Sequence, residues 1–92
     1  MRKYDLCSRV ASAAGMPRER AELAVEAVME GIIEALKKSD EVHLRGFGTF
    51  CVVKRAKKRA FDMNRGCAIE IPERKVPLFK PSERFKKVIS ES

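Results

Sequence analysis

The chain is expected to fold as one α+β domain, on three observations. Apolar residues recur at helical spacing through the first 40 positions. Strand-like alternation with glycine turns replaces that period from 42 to 80, and a short amphipathic pattern closes the chain. With 92 residues, no internal repeat and no linker-like tract, a single domain (1–92) accounts for the whole. It divides into a helical base (1–40), a sheet (41–81) carrying an arm (54–74), and a C-terminal helix (82–92).

The first helix is predicted over 3–14, where Leu6, Cys7, Val10, Ala11 and Ala14 share one side and Gly15 suits the position just past a helix end. Pro17 suits the start of a second helix, because proline lacks only an N–H that the first turn leaves unpaired anyway. That helix runs over 18–38. Val25, Val28, Met29, Ile32, Ile33 and Leu36 form its apolar face; Glu19, Glu22, Glu26, Glu30 and Glu34 line an opposing acidic one, read as solvated. Lys37 and Lys38 complement its C-terminal dipole. One short helix and a three-stranded sheet have trouble covering this face together with Phe47, Phe50 and Phe79, so a second copy is expected to complete the burial, with Val28, Ile32, Leu36 and the three phenylalanines in the shared core.

Strands are predicted at 42–45, 49–53 and 75–80, forming an antiparallel sheet, with Gly46 and Gly48 giving the intervening turn its backbone freedom and Pro77 tolerable at an edge. Between the second and third strands the chain changes character. Lys54, Arg55, Lys57, Lys58 and Arg59 are separated by nothing larger than alanine; Phe61-Asp62-Met63-Asn64-Arg65-Gly66 then supplies two large apolar side chains and turn chemistry, and Ala68-Ile69-Glu70-Ile71 resumes alternation. This reads as a hairpin arm with about nine residues per limb, reaching roughly 30 Å at ~3.3 Å per residue. If regular, it places Arg55, Lys57, Arg59, Phe61 and Met63 on one side. Pro81-Ser82 stops the last strand and caps a helix over 83–89, with Phe85, Val88 and Ile89 inward, and residues 90–92 are expected to fray.

Charge is distributed unevenly along this frame. Residues 1–50 carry eight basic and eight acidic side chains and 51–92 carry twelve and five, so the whole net charge of +7 lies in the second half. Such asymmetry points to a polyanionic partner, most often nucleic acid. No stretch approaches the roughly 18 apolar residues of a spanning helix and no signal-peptide core is visible, so a cytoplasmic location without a membrane partner is expected. Cys7, Cys51, Cys67 and the single His43 lack ligand spacing, and no metal or other cofactor is expected.

Gly46-Phe47-Gly48-Thr49-Phe50, the basic arm, Ile69-Glu70-Ile71-Pro72 and Val76-Pro77-Leu78-Phe79-Lys80-Pro81 resemble the HU/IHF family of bacterial nucleoid DNA-bending proteins over nearly the whole chain. The resemblance implies an intertwined homodimer, a helical base topped by three-stranded antiparallel sheets that extend into two β-hairpin arms. It implies a non-enzymatic, largely sequence-nonspecific binder that bends double-stranded DNA through the minor groove and compacts the nucleoid, with bent, nicked or junction duplexes and some RNA as further ligands. Matching positions carry over as DNA contacts at Lys3, Gly46, Gly48, Arg55, Lys58, Lys80 and Lys86. Lys54, Lys57, Arg59, Arg65, Arg74 and Lys75 join them on charge.

The tip departs from the family pattern. Where the family carries arginine-asparagine-proline, this chain has Phe61-Asp62-Met63, so Met63 or Phe61 becomes the candidate intercalating side chain and Asp62 sets a carboxylate beside phosphates. Three alternatives stand beside this reading: a site-preferring IHF-like bender, an RNA-binding module in which Phe61 stacks on unpaired bases, and a protein scaffold. An enzyme is disfavoured, since no phosphate-binding glycine loop or framed acid pair is present.

Overall fold

Two helices form the base. The computed structural model describes residues 1–92 and opens with α1 (Lys3–Ala14), entered through a cap in which the Arg2 N–H donates to the Asp5 carboxylate at 2.8 Å. Gly15 ends it at φ 62°, the left-handed conformation expected of a residue past a helix end. Helix α2 (Arg18–Lys37) starts one residue after Pro17, whose carbonyl accepts from the Arg20 and Ala21 N–H groups. Cys7 and Ala21, both small, are the only buried residues of the pair. Arg18 ties the helices together: its guanidinium lies 3.5 Å over the Tyr4 ring and donates to the Tyr4 carbonyl, the Ser8 hydroxyl and Glu22.

Half of the apolar face of α2 is exposed. Val28 is 60%, Ile33 54% and Met29 37% exposed, while Val25, Ile32 and Leu36 are half-buried; Leu23, outside that set, is 71% exposed. Only four of 92 residues are buried outright, far too few for a finished core. The acidic face is exposed, as expected, except at the half-buried Glu26, and Glu22, Glu26 and Glu34 pair there with Arg18, Lys3 and Lys37.

Above the base lies a three-stranded antiparallel sheet in the order β1 (Val42–Leu44), β2 (Gly48–Arg55), β5 (Arg74–Pro81). Pro77 sits opposite Val52 on the edge strand β5, where its missing N–H costs no ladder bond to a further strand. The two glycines of the turn do different things. Gly46 adopts φ 78° in the turn closed by the Phe47 N–H to the Leu44 carbonyl at 2.9 Å. Gly48 is buried in ordinary backbone, and a Cβ there would stand 2.6 Å from both the Lys80 carbonyl oxygen and the Phe79 ring. The expectation of backbone freedom holds for Gly46; at Gly48 the constraint is space.

Beyond that turn, Phe47, Phe50, Phe79 and Phe85 form a chain of rings with centroids 4.8–5.9 Å apart. Helix α3 (Glu83–Ser90) supplies Phe85, and its Ser82 cap accepts the Phe85 N–H at 3.1 Å. This helix persists one residue further than expected. The Ser90 and Ser92 hydroxyls donate to the Lys87 and Ile89 carbonyls.

The arm is a separate two-stranded ladder, β3 (Lys58–Asp62) with β4 (Cys67–Ile71). It is not one regular ribbon. Ala56 and Lys57 in one limb, and Pro72 and Glu73 in the other, leave strand geometry between the sheet and the arm. The pairing frame survives this break: Arg55 faces Arg74, Lys58 faces Ile71, and two residues on each side separate them, so no bulge is introduced. The expectation that Arg55, Lys57, Arg59, Phe61 and Met63 form one continuous side is therefore corrected. Arg59 and Phe61 share a face of β3, Arg55 belongs to β2, Lys57 lies in the break and Met63 in the turn.

Candidate nucleic-acid interface

Cations along the arm fall into two groups according to whether a carboxylate already holds them. Lys54 pairs with Glu73 at 3.9 Å, Lys57 with Glu70 at 3.1 Å and Arg65 with Asp62 at 3.7 Å, so every acidic residue between 54 and 74 is engaged across or along the hairpin. Arg55, Lys58, Arg59 and Arg74 have no carboxylate partner. Three of these, Arg55, Lys58 and Arg74, line a 390 Å³ groove at the base of the arm together with Ala56 and Lys57. Lys75, facing Lys54 across the ladder, donates to the Ser39 hydroxyl at 3.2 Å, and so ties the sheet to the end of the helical base.

A second cationic cluster surrounds the glycine turn. A cleft of 400 Å³ there is lined by His43, Arg45, Gly46, Gly48, Thr49 and Lys80, among others, and the Arg84 guanidinium lies where a Cβ on Gly46 would stand 3.3 Å away. His43, Thr49 and Lys80 stand side by side across the three strands, with His43 Nδ1 3.0 Å from the Thr49 hydroxyl. Sequence reasoning missed Arg45 and Arg84. The signal was available in Arg84, two residues after the helix-capping Ser82, which the Ser82 N–H bond to the Phe47 carbonyl holds against the turn. Lys86 is on α3, paired with Glu83 at 3.5 Å, and Lys3 is on α1, paired with Glu26; neither belongs to the arm cluster.

At the far end Phe61 is 65% and Met63 86% exposed. Phe61 projects from β3 opposite Ala68, while Met63 opens the turn of residues 63–66. Asp62, the last residue of β3, does not stand free beside them. Its carboxylate accepts the N–H groups of Asn64 and Arg65 at 3.0 and 3.3 Å, and its carbonyl accepts the Gly66 N–H at 2.8 Å. Gly66 completes the turn at φ 67°. Cys7, Cys51 and Cys67 are unpaired thiols, and no helix is long and apolar enough to cross a membrane.

Residues 1–90 match the family described as bacterial DNA-binding protein. DNA-binding protein HU of Geobacillus stearothermophilus is 42% identical over 89 residues, spanning 97% of this chain and 99% of that protein, and HU of Thermotoga maritima is 39% identical with the same coverage. Among solved structures, an Anabaena HU–DNA cocrystal structure matches with a TM-score of 0.95 at 30% identity over 100% of both chains. HU from Thermotoga maritima gives 0.69 at 30% identity over 97% of this chain and 98% of that one. On this sequence match and this shared geometry, the chain belongs to the HU/IHF family of histone-like bacterial DNA-binding proteins, a non-enzymatic architectural family.

Proposed function

We propose that the chain works as a homodimer that binds double-stranded DNA with little sequence preference, bends it through the minor groove and contributes to compaction of the nucleoid in the cytoplasm. The observation that carries this reading is the division of the arm's charges. Its carboxylates are all internally paired, whereas Arg55, Lys58, Arg59 and Arg74 remain for phosphates, and an exposed Met63 and Phe61 lie beyond them. Phosphate contacts release counterions and give affinity without sequence information; an apolar side chain inserted at a base step stabilises a kink. Gly46, Lys80, Arg45 and Arg84 supply a second contact near the sheet, and Lys54, Lys57, Arg65, Lys75, Lys3 and Lys86 contribute where the duplex draws them from their present partners. Duplexes that are already bent, nicked or branched are favoured because less deformation remains to be done.

Second copies enter this reading through the bare face of α2. Val28, Ile33 and Leu23 are more than half exposed, and Phe47, though within the ring cluster, is still 45% exposed. Burial of that surface against the same surface of another chain completes the core that one chain lacks.

The test pairs salt dependence with bending. Affinity for a random-sequence duplex should fall steeply with salt, with a log–log slope of about 0.9 per phosphate neutralised. Energy transfer across an end-labelled duplex should show a bend that Met63→Ala reduces several-fold more than it reduces affinity, with Phe61→Ala as the matched comparison. Binding confined to one sequence, or tighter binding to single-stranded RNA than to duplex, would overturn the proposal. A bend unchanged in both variants would remove the wedge and leave the electrostatic grip.

A further inference from the structure

We infer that Asp62 is a positioning residue for the arm tip, its carboxylate ordering the turn that Met63 opens; the inference deepens the bending reading and rests on it for the role of Met63. A carboxylate at this place has an obvious opposite effect, since it repels the phosphates that the arm approaches. The geometry assigns it other work. Asp62 accepts two successive backbone N–H groups, from Asn64 and Arg65, and its side chain is only 23% exposed while the adjoining Met63 is 86% exposed.

Three constraints then act on four residues. Asp62 faces Cys67 as the last pair of the ladder, the Asp62 carbonyl receives the Gly66 N–H, and the carboxylate fixes the two amides between. Met63, the first residue of that turn, is its one large apolar side chain and is exposed. Its flexible side chain still gives up rotamer freedom on insertion, but the backbone beneath it is already ordered before DNA arrives. The 3.7 Å pairing with Arg65 also withdraws part of the negative charge from the surface that meets phosphates.

Asp62→Ala and Asp62→Asn separate this role from simple repulsion. Both remove the charge, but asparagine keeps the acceptor oxygen that the two amides need. In the free protein, hydrogen exchange of the Asn64 and Arg65 amides should quicken about tenfold in Asp62→Ala, the loss of roughly one hydrogen bond's net stabilisation, and stay within about twofold of the parent in Asp62→Asn. On DNA at low salt neither variant should bind more weakly than the parent, whereas the bend angle should fall in Asp62→Ala alone. Unchanged amide exchange in Asp62→Ala overturns the inference, and so does an asparagine variant as impaired as the alanine one. If the parent itself does not bend DNA, the bending reading fails, while the exchange measurement, made without DNA, still decides whether Asp62 orders the turn.

Discussion

Gly48 shows how a residue's place in a motif can be legible while its reason is not. The sequence marks the two glycines as a turn pair, and Gly46 answers to that description with its positive φ. Gly48 is there because the chain of β5 and the Phe79 ring leave no room for a Cβ, a fact that depends on strands about 30 residues apart and cannot be read locally. Gly48→Ala should therefore destabilise by about 1–3 kcal/mol, as overpacking against backbone does. Gly31→Ala is the contrast. Its Cβ meets nothing within 4 Å of this chain, so helix propensity should yield a gain of up to about 1 kcal/mol wherever the partner subunit does not crowd it. Denaturant midpoints of the two variants check both. The role of Asp62 is hidden from the sequence for a related reason. A charge is visible there, but the two amides that occupy it follow only from the turn, although the cluster of Asp62, Asn64 and Gly66 is itself turn chemistry.

At the scale of elements, helix and strand limits follow closely from periodicity and punctuation. Gly15, Pro17 and Ser82 each stand at the boundary their chemistry suits. The break in the arm does not follow, because Pro72 reads only as part of a family pattern and the residues across from it, Ala56 and Lys57, carry no breaking signal. Ion pairing within the arm is equally hidden, since it depends on which limb faces which. It also yields a graded expectation. Replacing Arg55 and Lys58 by alanine should flatten the salt slope by about one unit for each phosphate left unneutralised in each subunit. Lys57→Ala should flatten it less, because Lys57 is already held by Glu70. Titrations at several salt concentrations settle the comparison; equal effects from all three substitutions would contradict the division of charges.

The molecule as a whole is drawn out. Its radius of gyration is 18.6 Å and its extents are 57 × 31 × 28 Å, where a compact domain of this length has a radius of about 12 Å. Part of that excess is the arm and part is a base that lacks its cover, a deficit already visible in the sequence as more apolar face than one chain can enclose. If a second copy provides the cover, folding and association are one event, and the melting temperature should climb with protein concentration. Sedimentation at micromolar concentration checks the same point. A folded monomer there, with a concentration-independent melting temperature, would leave the exposed Leu23, Val28 and Ile33 without an explanation.

The unbroken pairing frame across the arm's interruption constrains what lengths such an arm can have. Residues from Gly48 to Asp62 meet those from Pro81 back to Cys67 one for one, with equal numbers omitted on either side of the break. A single residue added to one limb would turn every side chain beyond it to the opposite face, carrying Arg59 and Phe61 away from whatever they now meet. Reach can therefore change only by matched additions to both limbs, in steps of about 3.3 Å per pair, and only even steps return the tip to its present facing. An arm of this kind behaves as a ruler with discrete marks, and the span of duplex it can grip is counted in residue pairs.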